Sequence, residues 1–457
     1  MLSPPTILSK IIRCSQSDPI ELSVNDFILP ATSSIDCIYF YDIQRWKSDR
    51  NNEANELFLD TQRMLQSLTQ LIEYYPILCG TLKPSTNDGR VTVEFNDDNS
   101  GIEFISTAVT MSLIELPLSK INVDNQSILP SDIEWLNKAQ SPRLFRVRHT
   151  RFACGSVALG ISLNHQLGDA HSLFQLIKDW ANIYRDSSYK PTVCHDRSLL
   201  SPTSDEIEYR RKIDPNFDNQ KAHAIANADT PFSFSMNTEQ IIVKIFRFTA
   251  EKLEQIKSKA MNYRPPSAPY ISTFDALTAY LHRNVMLARQ CAASTCTRIF
   301  ISTNTRSRLM DPEIPLNYFG NSIVFSYVEI PMSELMADEH LGRTSSAIRQ
   351  AIENNQSECI RTTLSWIASK PDISKVIPSF HLDAEDFTVS AWNKMGMYSN
   401  ADFETDLYPT RVLPTSDLRF NGGAIFESTE LLDSSIDVII GLTAESMQRF
   451  ELLHCNE

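Results

Sequence analysis

The sequence predicts an α/β or α+β protein of two domains, and three observations lead to this fold class. The chain has 457 residues, more than the roughly 250–300 at which a single hydrophobic core stops growing. Strand patterns and helix patterns are mixed in both halves of the chain. Between the halves, over about 187–231, the pattern becomes polar, loses its periodicity and contains several prolines, as in an interdomain crossover.

These boundaries predict an N-terminal domain over 1–186 and a C-terminal domain over 232–457, with a segment around 360–400 that packs with the N-terminal domain. In the first half, β-branched and aromatic residues predict a strand over 36–41. A helix follows, because apolar residues recur at spacings of three and four. The stripe consists of Leu57, Thr61, Met64, Leu65, Leu68, Leu71, Ile72 and Tyr75. Pro76 ends this helix, since proline cannot continue the hydrogen-bond ladder.

A buried strand leads directly into the most informative motif. Residues 144–148 and 157–163 read as two strands around a polar turn, and the second one continues into Asn164 and His165. A helix starts shortly afterwards, with apolar residues on one side. Those residues are Leu173, Leu176, Ile177 and Trp180. Junctions of this kind place side chains at the open edge of a sheet, where ligands commonly bind.

In the second half, further strands are predicted over 241–248, 299–302 and 436–440, and a helix over 273–281. With 42% hydrophobic and 21% charged residues, the chain is typical of a folded protein. A formal net charge of −14 argues against nucleic acid as a partner, and an anionic ligand would need a local basic patch.

The sequence also predicts where the protein resides. It has neither a membrane-length apolar run nor the layout of a secretory leader. Nine cysteines are scattered without a Cys-x-x-Cys pair, which is typical of reduced thiols and not of disulfides or a zinc site. We therefore expect a cytoplasmic protein that has no membrane partner.

His165 and Asp169 form a His-x-x-x-Asp pattern. Nine histidines and 30 aspartates in this chain give about 0.6 such pairs by chance, so the context has to carry the interpretation. A histidine beside a ligand can take a proton from a hydroxyl or amine near neutral pH. Asp169 could orient the imidazole or hold the turn through an arginine. Alternatively, His165 is an ordinary half-buried histidine and Asp169 a helix N-cap.

Other chemistries are disfavoured by the sequence. A metal site of His165, Asp169 and His171 is disfavoured, since His171 would not share a helix face with the other two and no other ligand cluster lies nearby in the sequence. The chain has no Gly-x-Ser-x-Gly elbow, no Gly-x-Gly-x-x-Gly fingerprint and no phosphate-binding P-loop. Serine-hydrolase, dinucleotide and P-loop chemistry are therefore not predicted.

Six short segments in order along the chain form a recognisable set: 75–80 (YPILCG), 152–155 (FACG) with 164–170 (NHQLGDA), 195–198 (HDRS), 272–279 (STFDALTA), 304–309 (NTRSRL) and 318–321 (YFGN). Together they resemble the BAHD acyltransferases, which are coenzyme A-dependent O- and N-acyltransferases of plant and fungal specialised metabolism. The resemblance covers nearly the whole chain. Six ordered matches are far more specific than one short motif.

The resemblance implies a fold similar to chloramphenicol acetyltransferase. Two similar-sized domains of mixed sheet with flanking helices enclose a channel, and His165 lies at its midpoint. Coenzyme A would enter from one face and the acceptor from the other. His165 would be the general base, with no covalent acyl-enzyme, while Asp169 would face away and pair with Arg306. Trp392, in the step Ser390-Ala391-Trp392, would donate to the oxyanion, although tryptophans are more often core residues.

One motif departs from the family pattern. The family's Asp-Phe-Gly-Trp-Gly is here Asp402-Phe403-Glu404-Thr405-Asp406, so both glycines are missing. Because glycine in a loop usually serves backbone angles that other residues resist, we expect a different loop path. Asp402 would keep a structural role, and the change affects the coenzyme contacts more than His165.

Several residues are candidates for binding the substrates. Lys257 and Lys259 lie on a helix-like segment and could meet the coenzyme diphosphate, although such charges usually form a solvated face. The resemblance adds Ser272 and Thr273. It also adds Ser390 and Asn321 as substrate or coenzyme contacts.

The sequence thus predicts acyl transfer from acyl-CoA to a hydroxyl or amine of a small molecule, by a monomer. Acyl-CoA would be a co-substrate, with no permanently bound cofactor and no metal. One alternative is a condensation-type enzyme that uses carrier-protein donors, but such enzymes usually have a doubled histidine where Asn164 stands. A second alternative is a non-catalytic homologue that binds acyl-CoA or a metabolite, suggested by the eroded motif at Asp402.

Overall fold

The structure is a computed structural model. It describes residues 6–116 apart from 28, 32, 50–57 and 96–97, residues 143–226, and residues 241–456 apart from 267, 269, 338, 382–384, 415–420 and 432. The strands of this part of the chain are β1 Thr6–Ile12, β2 Ile20–Glu21, β3 Ser34–Tyr41, β4 Thr81–Pro84, β5 Val91–Glu94, β6 Ile102–Ala108, β7 Phe145–Arg151, β8 Val157–Asn164, β9 His223–Ile225, β10 Ile241–Phe248, β11 Cys296–Asn304, β12 Ile323–Pro331, β13 Val376–Pro378, β14 Asp386–Ala391, β15 Arg411–Pro414, β16 Gly423–Ser428 and β17 Ile436–Thr443.

The helices in the same part of the chain flank these strands. They are α1 Ile43–Asp49, α2 Thr61–Leu71, α3 Ala170–Arg185, α4 Ser204–Ile213, α5 Ala250–Asn262, α6 Thr273–Ala288, α7 Met332–Leu335, α8 His340–Asn354, α9 Ser357–Ala368 and α10 Ala444–Asn456. No helix within the described residues is long and apolar enough to cross a membrane.

Two six-stranded mixed sheets form the framework. The first has the order β1-β6-β7-β8-β3-β15, and the second has the order β10-β17-β16-β14-β11-β12. Each combines antiparallel with parallel pairs: β6 runs parallel to β7, and β14 runs parallel to both β11 and β16. The predicted mixed α/β class with flanking helices is therefore confirmed.

Each sheet has its own core. Helices α2 and α3 turn their apolar stripes onto the first sheet, whereas α5, α6, α8 and α10 pack on the second. Burial of these stripes gives each half a separate hydrophobic interior. The two halves are nonetheless interleaved, because Trp392, Phe403 and Val412 of the C-terminal half belong to the first core.

Two details differ from the sequence prediction. Helix α2 ends at Leu71 with Ile72 as C-cap, before Pro76, which instead begins a short 3-10 helix. The crossover predicted as irregular contains helix α4, capped by Thr203, whose side chain accepts the Glu206 N–H. This helix is largely polar, so it has no apolar stripe that periodicity could detect. The division into 1–186, 187–231 and 232–457 stays a prediction.

A buried ionic cluster joins the two sheets. Arg411, on strand β15 of the first sheet, contacts Glu427 at 3.2 Å and Asp437 at 2.7 Å on the second. Arg247 adds contacts to Asp437 and to Glu430. Two guanidinium groups thus face three carboxyls, which leaves one negative charge in excess. Burial raises the pKa of Glu427 to about 8, so this carboxyl carries a proton at neutral pH and balances the cluster.

Replacing Glu427 by glutamine is expected to remove a pH-dependent loss of stability. The folded state binds this proton more tightly than the unfolded chain, whose glutamate pKa is about 4.3. The stabilisation is therefore complete below about pH 4.3 and is lost as the pH rises to about 8, by roughly 1.4 kcal/mol per pH unit.

Urea unfolding between about pH 5 and 8 measures this effect. The free energy of unfolding should fall more steeply with pH in the wild type than in Glu427→Gln. The exposed Glu445→Gln is the control and should follow the wild type. Equal slopes in the wild type and Glu427→Gln would show that Glu427 is ionised in the folded protein.

Candidate active site

His165 lies in a tight turn between the end of β8 and the start of α3. Its backbone N–H donates to the carbonyl of Ser33 at 2.9 Å, and the Leu167 N–H donates to the carbonyl of Asn164 at 3.0 Å. The side chain of Asn164 accepts the Gln166 N–H at 2.9 Å. The turn is therefore fixed from both sides, and the half-buried histidine follows the strand edge as predicted from the sequence.

The imidazole of His165 is held by one amide of the other half of the chain. Its Nδ1 lies 3.2 Å from Oδ1 of Asn321. The Nδ2 of Asn321 donates to the His165 carbonyl at 2.7 Å and to Oδ1 of Asp26 at 3.0 Å. Because both of these partners only accept, the amide oxygen of Asn321 must face the imidazole. Nδ1 of His165 therefore carries the proton, and this N–H donates a hydrogen bond to Oδ1 of Asn321.

The remaining nitrogen, Nε2, thus keeps its lone pair. Among the described residues no group hydrogen-bonds to it, in contrast to Nδ1. Burial lowers the pKa of His165 below its usual value, although the nearby Asp169 and Asp26 charges act in the opposite direction. The imidazole is therefore neutral at physiological pH, and its basic nitrogen is unoccupied by any group in the part of the chain that the structure describes.

The carboxylate of Asp169 faces Arg306. The contact is bidentate, with 2.7 Å from Arg306 Nη1 to Oδ2 and 3.1 Å from Nη2 to Oδ1. The carboxylate also accepts the backbone N–H groups of Ser172 and Ser322, both at 2.9 Å. Burial alone would raise the pKa of Asp169, but Arg306 and these donors more than offset it and the pKa is lowered. Asp169 is thus both the N-cap of α3 and an ion-pair partner, so two of the three roles left open by the sequence coexist.

Arg306 in turn binds the segment that carries Asn321. Its guanidinium donates to the carbonyl of Tyr318 at 3.2 and 3.0 Å and to that of Gly320 at 2.9 Å. Gly320 has no room for a side chain, since a Cβ there would lie 1.8 Å from Nη1 of Arg197. The Tyr-Phe-Gly-Asn segment is therefore held against the start of α3.

Asn321 was predicted as a substrate or coenzyme contact, and the structure places it differently. Its amide nitrogen hydrogen-bonds to Asp26 and its amide oxygen to Nδ1 of His165. Its backbone carbonyl accepts from the side-chain amide of Asn25 at 2.9 Å. Only 3% of Asn321 is exposed, and its side chain contacts the histidine; its contact with a ligand stays a prediction. Sequence reasoning missed Asp26, whose Ser-x-x-Asp spacing from Ser23 reads only as an ordinary N-cap.

Trp392 follows strand β14 and is buried in the first core. Its ring packs edge-on against Phe174 of α3, with the ring centroids 5.8 Å apart. The indole N–H donates to Oγ of Ser390 at 3.0 Å. Ser390 is thus a partner of Trp392, and any oxyanion would have to replace its hydroxyl as the acceptor.

The altered motif after Trp392 forms a firmly bonded loop. The carboxylate of Asp402 accepts the N–H groups of Asp406 and Leu407, and it ion-pairs with Arg185 of α3 at 3.3 Å. Thr405 and Asp406 have φ angles of 59° and 58°, the left-handed region that glycine adopts more easily. Glu404, which stands where the family has a glycine, accepts from Leu59 N–H and from the Tyr184 hydroxyl, both at 2.9 Å.

The candidate coenzyme contacts are on the C-terminal half. Ser272 caps helix α6 and accepts Nη2 of Arg349 at 2.9 Å, while Thr273 is the first residue of that helix. Lys257 is half-buried and Lys259 is exposed on helix α5, so the predicted helix is present. Arg349 was not predicted, and it adds a guanidinium beside Ser272, although Asp275 pairs with it at 2.8 Å.

A cavity of about 880 Å³ lies along the outer edge of β12. Its lining includes His223, Phe325, Tyr327, Cys359 and Thr363, but none of the predicted site residues. The channel around His165 therefore stays a prediction. Within the described part of the chain, no three histidine, cysteine, aspartate or glutamate side chains are grouped as metal ligands.

The sequence profile described as the Transferase family matches residues 6–454. The chain belongs to this family. The resemblance to BAHD acyltransferases drawn from the motifs is thereby confirmed. Among its relatives, hydroxycinnamoyltransferase 1 of Oryza sativa subsp. japonica is 25% identical over 91% of this chain and 90% of the relative. An Avena sativa hydroxycinnamoyl-CoA:5-hydroxyanthranilate N-hydroxycinnamoyltransferase is 24% identical over 97% of this chain and 98% of the relative.

The family fold is confirmed by a solved structure. The structure of F. sporotrichioides TRI101 complexed with coenzyme A and T-2 has a TM-score of 0.74 and 19% identity, covering 95% of this chain and 97% of its own. This chain therefore has the two-domain fold predicted from the resemblance, similar to chloramphenicol acetyltransferase.

Replacing Asp169 by asparagine is expected to destabilise the protein by about 3–5 kcal/mol, because it leaves the Arg306 guanidinium buried without its counter-charge. Urea unfolding at neutral pH measures this loss. Glu208→Gln, which breaks the exposed pair with Lys212, serves as the control and should change nothing measurable. A loss below about 1 kcal/mol in Asp169→Asn would contradict the importance given to the pair.

Proposed function

We propose that the protein transfers an acyl group from acyl-CoA to a hydroxyl or amine of a small molecule, with Nε2 of His165 as the general base. The observation that carries the proposal is the fixed tautomer of His165, which leaves the lone pair of Nε2 unoccupied in the described structure. Membership of the Transferase family over residues 6–454 supports the reaction class. Acyl-CoA is a co-substrate in this proposal, and no cofactor is permanently bound.

The reaction proceeds by direct transfer. Nε2 of His165 accepts the acceptor proton while the acceptor oxygen or nitrogen attacks the thioester carbonyl. The positive charge that forms on the imidazole is stabilised by Asn321, which accepts from Nδ1, and by the carboxylates of Asp26 and Asp169. Collapse of the tetrahedral intermediate breaks the carbon–sulfur bond, and the imidazolium returns its proton to the departing thiolate.

Trp392 is the proposed donor to the oxyanion of the intermediate. Its position at the end of β14 and its packing on Phe174 support this role. As charge develops on the oxyanion, the hydrogen bond of the indole N–H would shift from Oγ of Ser390 to this more negative oxygen. Ser390 would then position the tryptophan in the absence of substrate.

The coenzyme is proposed to bind at the C-terminal half, where Ser272 and Thr273 begin helix α6 and Lys257 and Lys259 supply cations. Hydroxycinnamoyl-CoA is named as the donor of the Avena sativa relative. Aromatic acyl-CoAs are therefore the first donors to test here. A screen of thiol release over acetyl-, malonyl- and aromatic acyl-CoAs, with alcohols and polyamines as acceptors, tests the reaction class.

The same screen, extended to donors on carrier proteins, distinguishes two alternative functions. Donors on carrier proteins would indicate a condensation-type enzyme, and binding of coenzyme A without turnover would indicate a non-catalytic homologue. The hydrogen bonds and the ion pair of Asp402 and Glu404 favour catalysis, because they hold the altered loop against α3 although both glycines are absent.

We further propose a cytoplasmic monomer in specialised metabolism. The eight described free cysteines support the cytoplasmic location, and the family supports the monomer and the metabolic role.

Replacing His165 by alanine is expected to reduce kcat at least about 100-fold, because the acceptor then has no base. The measurement is coenzyme A release with the best donor and acceptor of the screen. His171→Ala is the matched control: this histidine lies six residues on, bonds only to the Leu316 carbonyl among the described groups, and should leave turnover near wild type. Near wild-type turnover in His165→Ala would refute the mechanism.

The pH profile of kcat/KM is expected to have its acidic limb below pH ~6.5, the ordinary histidine pKa. Burial lowers the pKa of His165, so the neutral, basic form persists to lower pH. The profile should be measured with an alcohol acceptor, which does not titrate in this range. An acidic limb above pH ~7 would show that His165 is not the group that sets the profile.

A further inference from the structure

Asp26 is the most densely bonded carboxylate near the histidine, and it lies in a 3-10 helix close to the start of the chain. Its Oδ2 accepts the N–H and the hydroxyl of Ser23, at 2.9 and 2.7 Å. Its Oδ1 accepts the N–H and the side-chain amide of Asn321, both at 3.0 Å, and ion-pairs with Arg197 at 3.3 Å. Only 1% of Asp26 is exposed.

These bonds explain why the amide of Asn321 has one orientation. An asparagine amide can normally rotate by half a turn, because its oxygen and nitrogen have the same shape. Asp26 accepts a hydrogen bond from the amide nitrogen and could not accept one from the amide oxygen. The His165 carbonyl likewise accepts only from the amide nitrogen. The carboxylate therefore directs the amide oxygen of Asn321 to Nδ1 of His165.

The surroundings hold Asp26 itself in place. Ser23 fixes one oxygen by two hydrogen bonds. Arg197 approaches the other oxygen and is anchored by the Tyr318 hydroxyl at 3.3 Å and the Leu167 carbonyl at 3.0 Å. Leu167 belongs to the same turn as His165, so the positions of carboxylate, amide and imidazole are coupled.

We propose that Asp26 is a positioning residue, which acts through Asn321 to keep His165 in the tautomer whose Nε2 is the base. The inference rests on the proposed function of His165. Asp26 does not touch the imidazole, and its effect passes through one rotatable amide. Its negative charge also favours the imidazolium that forms during transfer.

The test combines side-chain ¹⁵N NMR of the histidines with kinetics on the full chain. In the wild type, the His165 signal, assigned by its absence in His165→Ala, should show a protonated Nδ1. Asp26→Asn removes one of the two groups that accept only from the amide nitrogen, so the His165 carbonyl alone then favours the original orientation. We expect a mixture of Nδ1–H and Nε2–H tautomers, a lower pKa of His165, and kcat/KM reduced about 10- to 100-fold, as when partners that orient a functional histidine are lost.

Asn321→Ala should reproduce these changes, and the double variant Asp26→Asn/Asn321→Ala should lose clearly less kcat/KM than the product of the two single losses. Asp179→Asn is the control, because Asp179 is another buried carboxylate, bonded to Tyr75 and Tyr189. It should leave the tautomer and the pKa of His165 unchanged. Ser23→Ala removes one hydrogen bond to the Asp26 carboxylate but keeps the carboxylate itself. This variant replaces Asp26→Asn in the test if Asp26→Asn yields no folded protein.

A wild-type tautomer and titration of His165 in Asp26→Asn would overturn the inference, and the same result in Ser23→Ala would do so if Asp26→Asn does not fold. Additive losses of kcat/KM in the double variant would overturn it as well, because Asp26 would then act without Asn321. Failure of the proposed function looks different: the wild type would release no thiol with any donor and acceptor. The NMR signals do not depend on turnover, so the two failures are separable.

Discussion

The structure of the site depends on one buried ion pair, between Asp169 at the start of α3 and Arg306 in the other half of the chain. Neither group could be buried alone, because the loss of hydration of an isolated charge far exceeds what packing returns. Here the carboxylate accepts from Arg306, Ser172 and Ser322, and the guanidinium donates to further carbonyls. The pair therefore has complete hydrogen bonding, which permits its burial and also fixes its geometry.

Through this pair, two distant segments of the chain form one site. Arg306 binds the carbonyls of Tyr318 and Gly320, so the next residue, Asn321, reaches His165 from the C-terminal half. The histidine itself follows β8 of the first sheet. The proposed base thus follows a strand of the first sheet and Asn321 precedes a strand of the second, and a change in how the halves pack would disturb their contact. The ionic cluster around Arg411 opposes such a change by joining the same two sheets elsewhere.

The altered motif at 402–406 shows how a loop tolerates the loss of its glycines. The left-handed angles at Thr405 and Asp406 cost free energy in residues with a Cβ. The Asp402 carboxylate offsets this cost by accepting two backbone N–H groups, and Glu404 bonds to Leu59 and Tyr184. Phe403 adds edge-on contacts to Tyr41 and Trp180. The loop is therefore held by Asp402 and Phe403, which the family pattern shares, and by Glu404, whose side chain stands where the family has a glycine.

The sequence by itself determined the fold class, the order of the strands and helices around His165 and the family, because hydrophobic periodicity and ordered motifs are local properties of the chain. It also supplied the partner of Asp169, though only through resemblance. Helix α4 and the network of Asp26, Asn321 and Arg197 were decided by the tertiary structure. A polar helix leaves no apolar stripe, and hydrogen bonds between residues about 170 and 295 positions apart leave no spacing to read. Which way an amide points depends on every group around it, and only the folded chain brings those groups together.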